Sequence, residues 1–180
     1  IDPVGLTILP IHRLVSLEQA PDIDRLAEQF GEYFHVDELK DRHKFFFMLE
    51  KAGVAEHAIG MYHNGRCWLL RLKNVKAVDK LITDKPQEYR RLDVSILNAL
   101  ILGKIVKGDL RENAAVSFVP ERDELIAAAD ADPAKIAFFL NPTKIDQIVS
   151  VALAGEKMPP KSTYFYPKPV SGLVIYKHES

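Results

Sequence analysis

Two cations and four hydroxyls crowd residues 161–168: Lys161, Ser162, Thr163, Tyr164, Tyr166 and Lys168. Such a set can hold a phosphate or carboxylate by charge-assisted hydrogen bonds, on a backbone stiffened by Pro159, Pro160 and Pro167. The competing reading is a sheet-edge strand with Phe165 inward and the tyrosines outward. The overlapping run from Gly155 to Ser162 has the spacing of a phosphate-binding P-loop, with Pro160 at the second glycine position. Proline offers no N–H to a phosphate and cannot adopt the glycine conformation. The segment also follows a helix and precedes a strand, the reverse of the P-loop order, so that reading is rejected.

His12 and Arg13 lie between apolar residues near the start of the chain. An imidazole and a guanidinium there are candidates for an anion site shared with an upstream segment, against the plainer reading of an edge-strand histidine and a solvated arginine. Asn141-Pro142-Thr143 opens a helix directly after an apolar strand, which aims free N–H groups at the carboxyl end of a sheet. Ordinary capping explains it equally well. His35, Asp37, Asp41 and His43 are metal-ligand types, but their spacing matches no zinc pattern. His57 and His63 share a strand face yet stand about 20 Å apart along it, too far for one ion. Cys67, the single cysteine, has no cation in register to lower its pKa. No metal site is assigned, and no residue set specifies a cofactor.

Positioning these groups requires a particular order of elements. Leu6–Leu9 reads as a short strand halted by Pro10 and resumed over Ile11–Val15 on an edge. Pro21 and Asp22 start a helix running through Phe30, and Asp37 is expected to cap a second one carrying Phe45 and Leu49. His57–His63 and Arg66–Leu72 flank Asn64-Gly65, the signature of a type I′ hairpin. Counting outward pairs His63 with Arg66, Met61 with Trp68 and Ile59 with Leu70, which puts one apolar face on the core. Asn74 caps a helix to Ile82, and Pro86 starts a longer, central helix through Ile101. Then follow a strand (Val116–Val119), a helix (Glu121–Ala131), a strand (Ile136–Leu140), a helix (Thr143–Ala154) and a strand (Leu173–Tyr176). The expectation is an α+β fold: a mixed β-sheet with an antiparallel hairpin and C-terminal βαβ units, flanked by helices.

The chain has 180 residues, 47% of them hydrophobic and 27% charged, the balance of one globular domain spanning 1–180. A formal charge of -1 gives nucleic acid or acidic lipid no long-range attraction. The most apolar run, residues 96–106, is too short and too interrupted to cross a bilayer. One cysteine and no signal sequence point to the cytoplasm. The chain opens at Ile1 without a methionine, so a removed upstream segment is expected.

Five stretches then carry a resemblance. MPPKSTYFYPK (158–168) followed by SGLVIY (171–176), with GLTILPIHRLV (5–15), RLDVSILNALIL (91–102) and AFFLNPTKIDQIVSVALAGE (137–156), resemble the blocks of a prokaryotic family catalogued as domain of unknown function 1015, in the same order. The resemblance implies that this chain is the C-terminal half of a longer protein. The other half would carry an Asp-Gly-His-His-Arg motif, absent here and similar to motifs of the ParB-like superfamily, which includes nucleotide-using enzymes and a free-serine kinase. Phosphoryl chemistry is thus implied at second hand. Asn98 stands where the family often has His. The expected function is a domain completing a small-molecule or phosphate-binding site with the missing half. The ligand residues would be Lys161, Ser162, Thr163, Tyr166, Lys168, His12 and Arg13. The alternative is a noncatalytic interaction or dimerisation module whose sheet edge pairs with a second copy of the chain or with another protein.

Overall fold

The computed structural model describes residues 5, 7–103 and 115–167. Pro10 separates two short strands, β1 (Thr7–Leu9) and β2 (His12–Ser16). Asp22 accepts from the Arg25 N–H and caps α1 (Ile23–Phe30). Next come β3 (Phe34–Leu39) and α2 (Arg42–Ala55). Asp37 does not cap α2: it lies within β3 and pairs with Arg71, while Asp41 accepts from the Lys44 N–H at 2.7 Å. An alternating stretch that pairs with a hairpin takes the strand, and the next aspartate serves as cap.

The hairpin itself follows the expected register. β4 (Ala58–His63) and β5 (Arg66–Leu72) pair His63 with Arg66, Met61 with Trp68 and Ile59 with Leu70. Asn64 and Gly65 turn at φ 47° and 79°, the doubly positive geometry of a type I′ turn.

The expected long helix is interrupted. α3 (Lys76–Asp79) and α4 (Gln87–Arg90) are single turns, Leu92 is extended, and α5 (Asp93–Ile96) continues as a π-helical stretch over Leu97–Leu102. The remainder is β6 (Ala115–Val119), α6 (Arg122–Asp130), β7 (Lys135–Phe139), α7 (Ile145–Leu153) and β8 (Tyr164–Tyr166). The expected strand at 173–176 lies outside the described residues.

Six strands form one sheet in the order β3-β5-β4-β7-β2-β6, and β1 pairs with β8 in a separate ribbon. The fold is α+β. β6 and β7 run parallel to each other across α6, but β2 lies between them and is antiparallel to both, so every paired strand among the described residues is antiparallel to its neighbour. β2 is therefore interior to the sheet, not the edge strand expected from Pro10.

Both sheet faces are covered. Ile59, Met61, Trp68, Leu70, Ile136 and Phe138 face a core shared with α1, α5 and the π-helical stretch. Ala58, Tyr62, Cys67, Leu69, Ala137 and Phe139 face α2 and α6. That is why the central strands read as nearly continuous apolar runs rather than clean alternations. Among the described residues, no helix is long and apolar enough to cross a membrane.

Candidate functional site

Strand alternation sends His12 and Arg13 to opposite faces of β2. Both are 1% exposed. The plain expectation of an edge histidine and a solvated arginine is overturned, because β6 and β7 flank β2.

The Arg13 guanidinium donates through Nη1 to the Ile11 carbonyl at 2.6 Å and through Nη2 to the Lys161 carbonyl at 2.9 Å. It also lies 4.6 Å from the Phe118 ring centroid. Among the described residues no carboxylate pairs with it, and burial pulls its pKa down to about 10. A guanidinium held this way remains cationic at neutral pH, with carbonyls and a ring as its partners among the described residues.

His12 accepts the Leu140 N–H on Nδ1 at 3.2 Å and meets Phe139 edge to face. Its proton therefore sits on Nε2, which is buried and has no partner among the described residues. Burial, reinforced by the charges of Arg122 and Arg13, pushes its pKa down to about 3. The imidazole is neutral across the physiological range.

The 158–167 strap leaves α7, buries Pro159 and returns along β1, with Leu9 opposite Tyr164 and Thr7 opposite Tyr166. Lys161 is exposed and adopts φ 56°, in the left-handed region. That conformation aims its carbonyl at Arg13. Ser162 is buried, and its carbonyl accepts from Thr143 Oγ1 at 2.9 Å. Thr163 is half-buried, whereas Phe165 and Tyr166 are exposed, so Phe165 does not turn inward as the edge-strand reading required. Lys168 lies outside the described residues. The structure thus ties Arg13 to the strap at Lys161, with Ser162 and Thr163 next along the chain, while His12 faces Leu140 and Phe139 on the other side of β2 and Tyr166 pairs with Thr7.

Beside it, Asn141-Pro142-Thr143 leaves β7. The helix begins later than expected, at Ile145, and Gln147 accepts the Lys144 N–H to cap it. Asn141 donates from Nδ2 to the carbonyls of Leu49 at 3.2 Å and Ala58 at 3.5 Å. Gly53 makes room for that amide: a Cβ there would fall 2.2 Å from Asn141 Nδ2. Asp93, Asn141, Thr143, Gln147 and Ser162 line a polar crevice of about 10 Å³, with Ile11 at its side. The Asp93 carboxylate is held by His57 Nδ1 at 2.8 Å. The sequence offers His57 only as a metal ligand beside His63 and gives no hint of its pairing with Asp93. The only local signal is that Asp93 begins a helix.

The other candidates separate. No group of three or more metal-ligand side chains occurs among the described residues. Burial pushes the Cys67 thiol up to about 11, leaving it protonated. A wider groove of about 520 Å³ lies between α1 and β3; His35 lines it, but none of the expected anion-binding residues does. Its rim carries Asp24 and Glu38, both already bound by Arg66.

An α+β sheet with a buried cation under an external strap is the class of protein the geometry defines. The family described as protein of unknown function (DUF1015) matches residues 1–95, and the chain belongs to it. No curated protein matches. Among solved structures, a conserved hypothetical protein from Pyrococcus furiosus is similar with a TM-score of 0.52 at 11% identity, over 91% of this chain and 57% of that one. A structure described as free serine kinase in complex with AMP is similar with a TM-score of 0.52 at 11% identity, over 92% of this chain and 56% of that one. At such identity the likeness is one of fold. The chain spans little more than half the length of these structures.

Proposed function

We propose that this domain is the C-terminal half of a cytoplasmic protein and contributes one wall of a site for a small phosphorylated or otherwise anionic ligand. Lys161, Ser162, Thr163, Tyr166 and Lys168 are the contacting groups, and His12 and Arg13 are the buried support. The observation that carries the reading is the Arg13 bond to the Lys161 carbonyl, which ties the most cationic and hydroxyl-rich stretch to a buried guanidinium with no carboxylate partner among the described residues. The shared fold with a free serine kinase seen with AMP supports phosphoryl chemistry as the activity of the whole protein, its remaining groups supplied by the other half. Thermal shift of the chain with inorganic phosphate, AMP and ADP tests it, repeated on Lys161→Ala and Thr163→Val. The wild type is expected to be stabilised and both variants much less so. An equal response of all three removes the strap from the site.

A second reading has its own observation. Ile145, Val149 and Leu153 form an exposed apolar stripe along α7, Leu153 being 84% exposed, and Lys144 Nζ reaches the carbonyl of the exposed Val54 at 3.0 Å. Such a face suits an interaction module. If Leu153→Asp lowers the sedimentation coefficient of the chain while Lys161→Ala leaves ligand response intact, this reading replaces the first.

A further inference from the structure

The crevice beside the strap has a definite hydrogen-bonding sense. Asn141 spends its amide donors on the Leu49 and Ala58 carbonyls, which leaves Oδ1 as its remaining polar atom. Thr143 spends its hydroxyl proton on the Ser162 carbonyl, which leaves oxygen lone pairs. Asp93 gives one carboxylate oxygen to His57, and the other has no hydrogen-bond partner among the described residues. Gln147 is the exception: its oxygen accepts the Lys144 N–H, so its remaining polar group is a donor. Acceptors therefore predominate, one of them charged, in a space of about 10 Å³ that admits a single small polar head.

We propose that this crevice is the subsite for a primary ammonium group on a small ligand. Asp93 would be the charged acceptor, with Asn141 Oδ1 and Thr143 Oγ1 taking further N–H bonds. An ammonium offers three donors and no acceptor, which matches the lining better than a hydroxyl or a carboxylate does. His57 acts as a positioning residue: its bond at 2.8 Å fixes the carboxylate, and both groups remain partly exposed, with side-chain exposures of 25% and 20%. The inference rests on the strap being a ligand site, because Ser162 belongs to both, and it extends that site to ligands carrying a cationic head beside an anionic group.

The test is an amide and side-chain NMR titration of the full chain with ethylammonium chloride, against ethanol and sodium chloride at equal concentration. Ethylammonium is expected to give saturable shifts at Asp93, Asn141, Thr143 and Gln147. Ethanol should bind at least tenfold more weakly, and Asp93→Asn should weaken ethylammonium by at least tenfold. Gly53→Ala, which displaces the Asn141 amide, is the second variant, and retained dispersion of the β4–β5 amides shows that either variant is folded. Shifts that fail to saturate, that ethanol or sodium reproduces equally, or that survive Asp93→Asn overturn the proposal. Phosphate and ethylammonium are titrated separately. Loss of the phosphate response with ethylammonium binding intact would sink the anion reading alone.

Discussion

The β4–β5 hairpin and the β1–β8 ribbon are both antiparallel pairs, but one closes over two residues and the other joins the two ends of the described chain. Every residue of β4 is buried, whereas β8 leaves Phe165 and Tyr166 to solvent. The hairpin is held by side chains on both of its faces. The ribbon depends on its own ladder and on a few polar bonds at its root, where Arg13 meets Lys161. Local pairing with two packed faces makes a scaffold, and distant pairing with an exposed face makes a surface on which a ligand can act.

The largest expected effect is at His12, next to Arg13 on β2 but on the opposite face of the sheet. His12 has its pKa pushed down to about 3 from an ordinary value near 6.5, so the unfolded chain binds the extra proton first on acidification. Stability is complete above pH 6.5 and falls toward pH 3, by an amount on the order of 4 kcal/mol for this group. Carboxylates titrate in the same window, so the measurement is the difference between wild type and His12→Gln in urea midpoints from pH 7 to 3. Parallel curves would show that His12 contributes nothing to acid sensitivity.

Next comes the hairpin. Leu70 is fully buried, and Leu70→Ala should cost about 3 kcal/mol in global unfolding while leaving any phosphate response in place. Arg13→Met should cost less, about 2 kcal/mol, since losing the bonds to the Ile11 and Lys161 carbonyls is partly offset by removing a buried charge. Its signature is local. Hydrogen exchange should accelerate at Tyr164 and Tyr166 far more than at Met61 or Leu70, and uniform acceleration would mean that the strap and sheet unfold as one unit.

This division also separates what the sequence made legible from what it did not. The hairpin register follows from Asn64-Gly65 and simple counting, because the interactions that fix it lie within a few residues. Asp37 misled because a capping residue and an exposed strand residue have the same chemistry, and only the partner β5 decides between them. Pro10 suggested an edge, and β2 became interior because β6 and β7, far along the chain, close on both its sides. The strap residues and His12-Arg13 were found separately by their chemistry. The contact of Arg13 with the strap was invisible, since it is made through the main-chain carbonyl of Lys161, which no side-chain pattern records. The His57–Asp93 pair escaped for a similar reason: its partners come from a strand approach and a helix start with no shared periodicity.

The smallest expected effect compares the two regions directly, through the backbone. Asn64 in the hairpin turn and Lys161 in the strap both adopt positive φ, at 47° and 56°. Asparagine enters the left-handed region readily, whereas a lysine Cβ crowds the neighbouring carbonyl at a cost of about 1 kcal/mol. Glycine relieves that crowding but also loosens the unfolded chain, which cancels part of the gain. Asn64→Gly should therefore be nearly neutral, and Lys161→Gly should stabilise by about 0.5 kcal/mol even as it removes an ammonium from the proposed anion site. Paired urea titrations of the two variants measure the difference, with Lys161→Ala as the control that loses the charge and keeps the strain. A stabilised Lys161→Gly with a lost phosphate response would mark the strap as a place where conformation is held against local preference in the service of binding. A destabilised Lys161→Gly would mean that the lysine side chain itself anchors the strap, and the ribbon would then belong with the hairpin as scaffold.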